Sequence, residues 1–224
     1  MAEIIVALDQ ADGRAALRLV DRLAGLRWAK VGATLFLREG PAVIRALQER
    51  GVQVFLDLKW HDIPHQVAGA AKIASELGVA LATVHALGGR EMLAAAQAAA
   101  GAMRLVAVTV LTSHTDAALG EVLGRQIDAR SEVVRLGRLA GAAGLAGVVS
   151  SPLEIAPLRA VLGPAAWIVV PGIRPADAPP DDQRRTADAA SAAKAGATHL
   201  VVGRPITRAE DPAAVYQRLC REAA

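Results

Sequence analysis

Eight short runs rich in Val, Ile and Leu recur about every 25 residues, each followed by a longer stretch with helical periodicity and Gly or Pro punctuation. That alternation over 224 residues predicts an α/β fold, a compact (β/α)8 TIM barrel spanning residues 1–224 as one domain. The competing arrangement is a doubly wound open sheet, but no Gly-x-Gly-x-x-Gly follows the first run.

In order, the strand-like runs are 4–9, 28–32, 54–59, 81–85, 105–111, 147–151, 167–171 and 199–203. The helix candidates between them are 13–25, 40–50, 64–77, 89–99, 117–143, 152–162, 183–195 and 211–222. Pro64 suits the first turn of the third helix, whose expected apolar face is Val67, Ala70, Ile73, Ala74 and Leu77.

Hydrophobic residues make up 53% of the chain, and Gly and Pro are scattered rather than clustered, as one large core requires. No apolar stretch approaches the roughly 20 residues that cross a bilayer, and the N-terminus runs directly into Glu3 and a strand. The expectation is a soluble, cytoplasmic protein with no membrane partner. Cys220 is the only cysteine, so the chain can form no internal disulfide and no cysteine-rich metal site. The formal charge is +3, yet there is no basic run and only three Trp, two Phe and one Tyr, which argues against nucleic acid. The cations comprise 21 Arg but only four Lys, at 30, 59, 72 and 194. Where Arg is the default cation, a Lys at a strand end invites a specific explanation, because a compact ammonium can donate a proton. Lys72 and Lys194 fall in helical patterns and read as solvated.

Barrel enzymes work at the C-terminal ends of their strands, and the polar residues fall there. Asp9 closes the first run and Lys30 lies in the second. Asp57 and Lys59 end the third, Thr112 and Ser113 follow the fifth, and Ser150 and Ser151 end the sixth. Strand side chains alternate faces, so Phe55, Asp57 and Lys59 should point together into one pocket, with Val54, Leu56 and Leu58 facing away. Two flanking carboxylates, Asp57 and Asp62, would keep Lys59 protonated, and a protonated Lys at a reacting carbon is a proton donor. The same array stabilises a carbanion, and a carboxylate set against a substrate carboxylate favours loss of carbon dioxide. A purely structural ion-pair network is the blander reading of these three residues. Lys30 and Asp9 fit supporting roles, either tying down neighbouring charges or binding hydroxyls.

The seventh and eighth runs continue into Pro171-Gly172-Ile173-Arg174 and Gly203-Arg204-Pro205. Glycine turns at this place let backbone N–H groups approach an anion, and Arg174 and Arg204 add guanidinium forks that suit a phosphorylated small substrate. The stretch from Ile173 to Arg184, with three prolines and Gln183 near its end, is long and polar enough to be a lid. His61-Asp62-Ile63-Pro64-His65 only superficially resembles a helical zinc motif: Asp replaces Glu, and Pro64 starts the helix, so no metal is expected. His85 and His199 sit in apolar runs and read as core histidines.

Over essentially its whole length the chain resembles the orotidine 5′-phosphate decarboxylase family. Asp57-Leu58-Lys59-Trp60-His61-Asp62-Ile63-Pro64 matches the family's specific Asp-x-Lys-x-x-Asp signature. Similar segments are Val6-Ala7-Leu8-Asp9, Lys30-Val31-Gly32, Val108 to Ser113, Pro171 to Arg174, Asp182 to Arg185 and Val202 to Thr207. The resemblance implies decarboxylation of orotidine 5′-phosphate to UMP in pyrimidine biosynthesis, with no cofactor. Lys30, Asp57, Lys59 and Asp62 would form an alternating charged array in which Lys59 protonates C6. Asp62 would be contributed to the neighbouring subunit's site, implying a homodimer. Asp9 would hold ribose, Thr112 would lie near the nucleotide, and Gln183 would bridge base and phosphate. Pro171 would line the substrate site, while Arg174, Gly203 and Arg204 grip phosphate. The chain departs from the pattern at His65-Gln66, where many members have Asn-Thr, and at Leu153, a position often polar in relatives.

Two alternatives remain from the sequence. Sugar-phosphate decarboxylases and aldolases of the same superfamily share Asp-x-Lys-x-x-Asp but use magnesium and an enediolate, and they place a carboxylate where this chain has Lys30. A catalytically silent phosphate-binding barrel is the other.

Overall fold

The computed structural model of the chain describes residues 1–10, 12–174 and 187–224. Strand β1 (Glu3–Ala7) leads to α1 (Gly13–Arg22), β2 (Trp28–Gly32) to α2 (Ala33–Glu39) and α3 (Pro41–Gln48), and β3 (Gln53–Trp60) to α4 (Pro64–Glu76). Next come β4 (Leu81–His85) with α5 (Gly89–Ala99), β5 (Arg104–Val108) with α6 (Asp116–Leu123) and α7 (Ala129–Ala142), and β6 (Gly147–Val149) with α8 (Ile155–Leu162). The chain ends with β7 (Trp167–Val170), α9 (Ala189–Lys194), β8 (His199–Val202), α10 (Arg204–Thr207) and α11 (Pro212–Glu222). All eight strands are parallel and pair in chain order, and β8 closes on β1 from Glu3–His199 to Val6–Val202, so the sheet is a (β/α)8 barrel without edges.

Strand periodicity sorts the side chains into two cores. Ile5, Ala7, Trp28, Phe55, Leu81, Val106, Val169 and Val201 fill the barrel interior. The alternate residues, among them Ile4, Val6, Val31, Val54, Leu56 and Leu200, join the helices in the larger outer core. The N-terminal end of the barrel is plugged by aromatic rings. Trp28 meets Trp167 and His199 edge-on, His199 lies 4.2 Å from the Trp167 ring, and Arg104 sits over Trp167 at 4.9 Å. His199 is thus the core histidine its apolar run suggested.

Helix starts follow local chemistry. Asp12, Thr115, Asp128, Asp188 and Asp211 each accept a first-turn N–H as N-caps, and Pro41, Pro64 and Pro212 open helices where no donor is needed.

Several boundaries differ from expectation. The stretch 40–50 is α3 alone, preceded by α2, because Gly40 (φ 59°) and Pro41 break the path between them. The stretch 117–143 is two helices, the first ended by the left-handed Gly124. The strands expected to reach Asp9 and Leu111 end at Ala7 and Val108, past which the ladder no longer pairs. In α4 the buried face is Val67, Ala71 and Ala74, whereas Ile73 is 56% exposed and points outward. Residues 183–186 of the expected helix 183–195 lie outside the described residues. No helix among the described residues is long and apolar enough to cross a membrane.

Candidate active site

The C-terminal ends of the strands open into a cavity of about 610 Å³, within the range of small-molecule sites. Its floor is apolar, formed by Ala7, Phe55, Val108, Val110, Val149 and Val201, and its rim is charged or glycine-rich.

Along one wall, charges alternate in sign. Lys30 points inward from β2, is buried, and donates to Asp9 Oδ1 at 2.8 Å. Its ammonium also lies 3.6 Å from Asp57 Oδ2. Asp57 in turn accepts from Lys59 Nζ at 2.9 Å through Oδ1. The row therefore reads Asp9, Lys30, Asp57, Lys59, supplied by three adjacent strands or the residues just beyond them. Room for it depends on Gly32, where a Cβ would stand 3.0 Å from Lys30 Nζ and 3.1 Å from Asp9 Oδ1.

Burial opposes ionisation of Asp57, but Lys30 and Lys59, with hydrogen bonds from Lys59 and Thr83, outweigh it and hold the carboxyl below its usual range. At an effective dielectric near 20, each cation at roughly 4 Å attracts a carboxylate by about 4 kcal/mol. Asp57 is therefore an anion at neutral pH. Lys59 is the most accessible cation of the row, its side chain 42% exposed against 11% for Lys30.

The strands that adjoin β1 on its other side, β8 and then β7, carry the glycine and arginine turns. After β7 come Pro171, Gly172 (φ 81°, a conformation that favours glycine), Ile173 and Arg174; after β8 come Gly203 and Arg204. Ile173 bridges to Ala187, and the Arg174 N–H donates to Ala187 O at 3.0 Å, joining the two described ends of the stretch between them. Thr112 and Ser150 complete the wall.

The structure thus brings Asp9, Lys30, Asp57, Lys59, Thr112, Pro171, Arg174, Gly203 and Arg204 to one cavity. Asp62 is not in that group: it is exposed beyond β3 and accepts from the Ile63 N–H at 2.6 Å. Gln183 and all of the expected lid 173–184 except Ile173 and Arg174 lie outside the described residues. His61 and His85 stack at 5.4 Å, and burial first, then His61, Lys59 and His114, lower the His85 pKa to about 4. His85 is accordingly neutral, with Nδ1 accepting from the Leu87 N–H at 3.3 Å. Among the described residues no group of three or more His, Cys, Asp or Glu is arranged to hold a metal ion.

Sequence reading missed Thr83, the one hydroxyl in β4, which contacts both Asp57 and Lys59. A polar residue inside an apolar run was the available signal. Ser150 was visible at a strand end but was not assigned to the site.

Comparison with known proteins agrees with this geometry. The chain matches the model of the orotidine 5′-phosphate decarboxylase / HUMPS family over residues 2–219. It is 50% identical to the orotidine 5′-phosphate decarboxylase of Alkalilimnicola ehrlichii over 228 residues, covering 100% of this chain and 97% of that one. It is 48% identical to that of Parasynechococcus marenigrum, covering 98% and 93%. The crystal structure of orotidine 5′-phosphate decarboxylase from Lactobacillus acidophilus superposes with a TM-score of 0.89 at 36% identity, covering 100% of this chain and 99% of that one. The barrel, the charged row and these matches together make the chain a member of the orotidine 5′-phosphate decarboxylase / HUMPS family.

Proposed function

We propose that the chain decarboxylates orotidine 5′-phosphate to UMP, with Lys59 as the proton donor within a Lys30, Asp57, Lys59 and Asp62 array. Family membership makes it a carboxy-lyase of pyrimidine biosynthesis. The observation that carries the finer reading is the row Asp9–Lys30–Asp57–Lys59 standing over an apolar floor, in one cavity with two glycine and arginine turns.

Phosphate is held by Arg174, Arg204 and the backbone at Gly203, with Pro171 along the cavity wall, so the base reaches the charged row. Asp9 takes the ribose hydroxyls, Thr112 lies near the nucleotide, and Gln183 links base and phosphate. The substrate carboxylate lies against Asp57, which disfavours the bound ground state relative to neutral carbon dioxide. As the C6–CO2 bond breaks, its electron pair stays on C6. The Lys59 ammonium stabilises that charge and then gives C6 a proton, so each turnover consumes one proton and releases one carbon dioxide.

Lys30 favours this reading over the metal-dependent sugar-phosphate relatives, since an ammonium occupies the place of their strand-two carboxylate. Asp62 serves the site of a second copy in a homodimer. Its exposure, and the exposed apolar Ile63 beside it and Ile73 on the helix that follows, support that assignment. Each subunit is one barrel domain of residues 1–224, and the dimer acts in the cytoplasm without a cofactor.

The test is product analysis. Purified protein in excess EDTA should convert orotidine 5′-phosphate to equal amounts of UMP and carbon dioxide. No conversion, with or without magnesium, would overturn the proposal; conversion that requires magnesium would overturn its metal-free form.

A further inference from the structure

We propose that Thr83 is the positioning residue that fixes Asp57 and Lys59 in their working geometry, an inference that rests on the decarboxylase reading above. Thr83 is the third residue of β4, is fully buried, and does not line the cavity, so it acts through other groups rather than on substrate. Its hydroxyl is used twice. The oxygen accepts the Lys59 backbone N–H at 2.8 Å, and the O–H donates to Asp57 Oδ1 at 3.0 Å.

The need for this bridge comes from the backbone. Lys59, at φ 52°, is the only non-glycine among the described residues with a positive φ, a region that L side chains avoid. At the same point the β3–β4 ladder slips: Leu56 pairs with Ala82 but Trp60 with Val84, four steps on one strand against two on the other. Such an irregularity re-aims a side chain, and it removes the ladder partner of the N–H inside it. The Thr83 hydroxyl takes that N–H and, through its own proton, ties the same turn of chain to Asp57.

Asp57 is then fully constrained. Oδ1 receives Lys59 Nζ and the Thr83 hydroxyl, while Oδ2 faces Lys30 from β2, beyond which lies Asp9. Burial works to raise the Asp57 pKa, and Lys30, Lys59 and the Thr83 hydroxyl together keep it low. Loss of the hydroxyl moves it upward.

The experiment compares wild type with Thr83→Val, which keeps the shape and removes the hydroxyl, and Thr83→Ser, which keeps the hydroxyl. Removing a hydrogen bond to a charged group predicts that Thr83→Val lowers kcat about 10- to 100-fold. KM should change little, and the acid limb of the kcat profile should move to higher pH. Thr83→Ser should stay close to wild type in both. Thr83→Val with wild-type kcat and pH profile, or Thr83→Ser as impaired as Thr83→Val, would overturn the assignment. If Thr83→Val does not fold, Thr83→Ala replaces it against the same Ser control. If wild type itself fails to turn over orotidine 5′-phosphate, the functional reading falls separately. The crystal structure of Thr83→Val then decides the positioning role: a Lys59 backbone that leaves the positive-φ region supports it, and an unchanged one overturns it.

Discussion

The ammonium of Lys30 lies 3.6 Å from Oδ2 of Asp57, and both side chains are nearly buried. Removing one member of a buried pair leaves the other charge uncompensated, at a cost of about 3 kcal/mol. Lys30→Met should therefore lower thermal stability and raise the Asp57 pKa, since one of the two cations that hold it down is gone. Thermal denaturation with a pH-rate profile checks both: the melting temperature falls, and the acid limb of kcat moves to higher pH.

Arg204 lines the same cavity as the charged row. A charge-assisted contact to phosphate that strengthens in the transition state contributes to kcat as well as to binding. Arg204→Ala should lower kcat/KM for orotidine 5′-phosphate about 10- to 100-fold. With orotidine, which has no phosphate, the same substitution should have almost no effect, and steady-state kinetics on the two substrates read the difference.

Asp62 is exposed and does not line the cavity of its own chain. If it completes the partner's site, Lys59→Ala and Asp62→Ala proteins, each inactive or weak alone, should recover activity when unfolded and refolded together. Random pairing in a two-fold dimer restores about a quarter of the sites, so activity should rise toward that fraction of wild type. No recovery above the sum of the single variants counts against the shared site.

His199 is 5% exposed, packed against Trp28 and Trp167, and burial followed by Arg104 and Arg27 lowers its pKa from 6.5 to about 4. Between those pH values the unfolded chain takes up a proton that the folded chain refuses. Stability should be complete above pH 6.5 and fall as the pH drops toward 4, by roughly 3 kcal/mol from this residue. His85, lowered in the same direction, adds to the trend. Denaturant melts across this range should show a shallower pH dependence for His199→Gln than for wild type.

The barrel was legible because strands and helices impose different periods on apolar residues, and eight repeats leave few topologies open. Asp57 and Lys59 were legible for the same reason: a period of two sends both to the face of Phe55, and both line the cavity. Ile73 was misplaced because α4 is apolar on more than one side, and a helix pattern does not say which side meets the barrel. The break at Gly40 and Pro41 could have been read locally. Thr83 stood out only as a polar residue in an apolar run; its role could not be read, since its partners stand 24 and 26 residues away on β3 and the register slip that needs its hydroxyl is a property of two paired strands.

The proposed reaction turns on the Lys59 ammonium delivering the proton to C6. Following the ultraviolet absorbance of orotidine 5′-phosphate with wild type and Lys59→Ala, both confirmed folded by thermal melts, tests it most directly. Rapid loss of the substrate band with wild type and almost none with Lys59→Ala is the expected result; turnover by Lys59→Ala at the wild-type rate would contradict it.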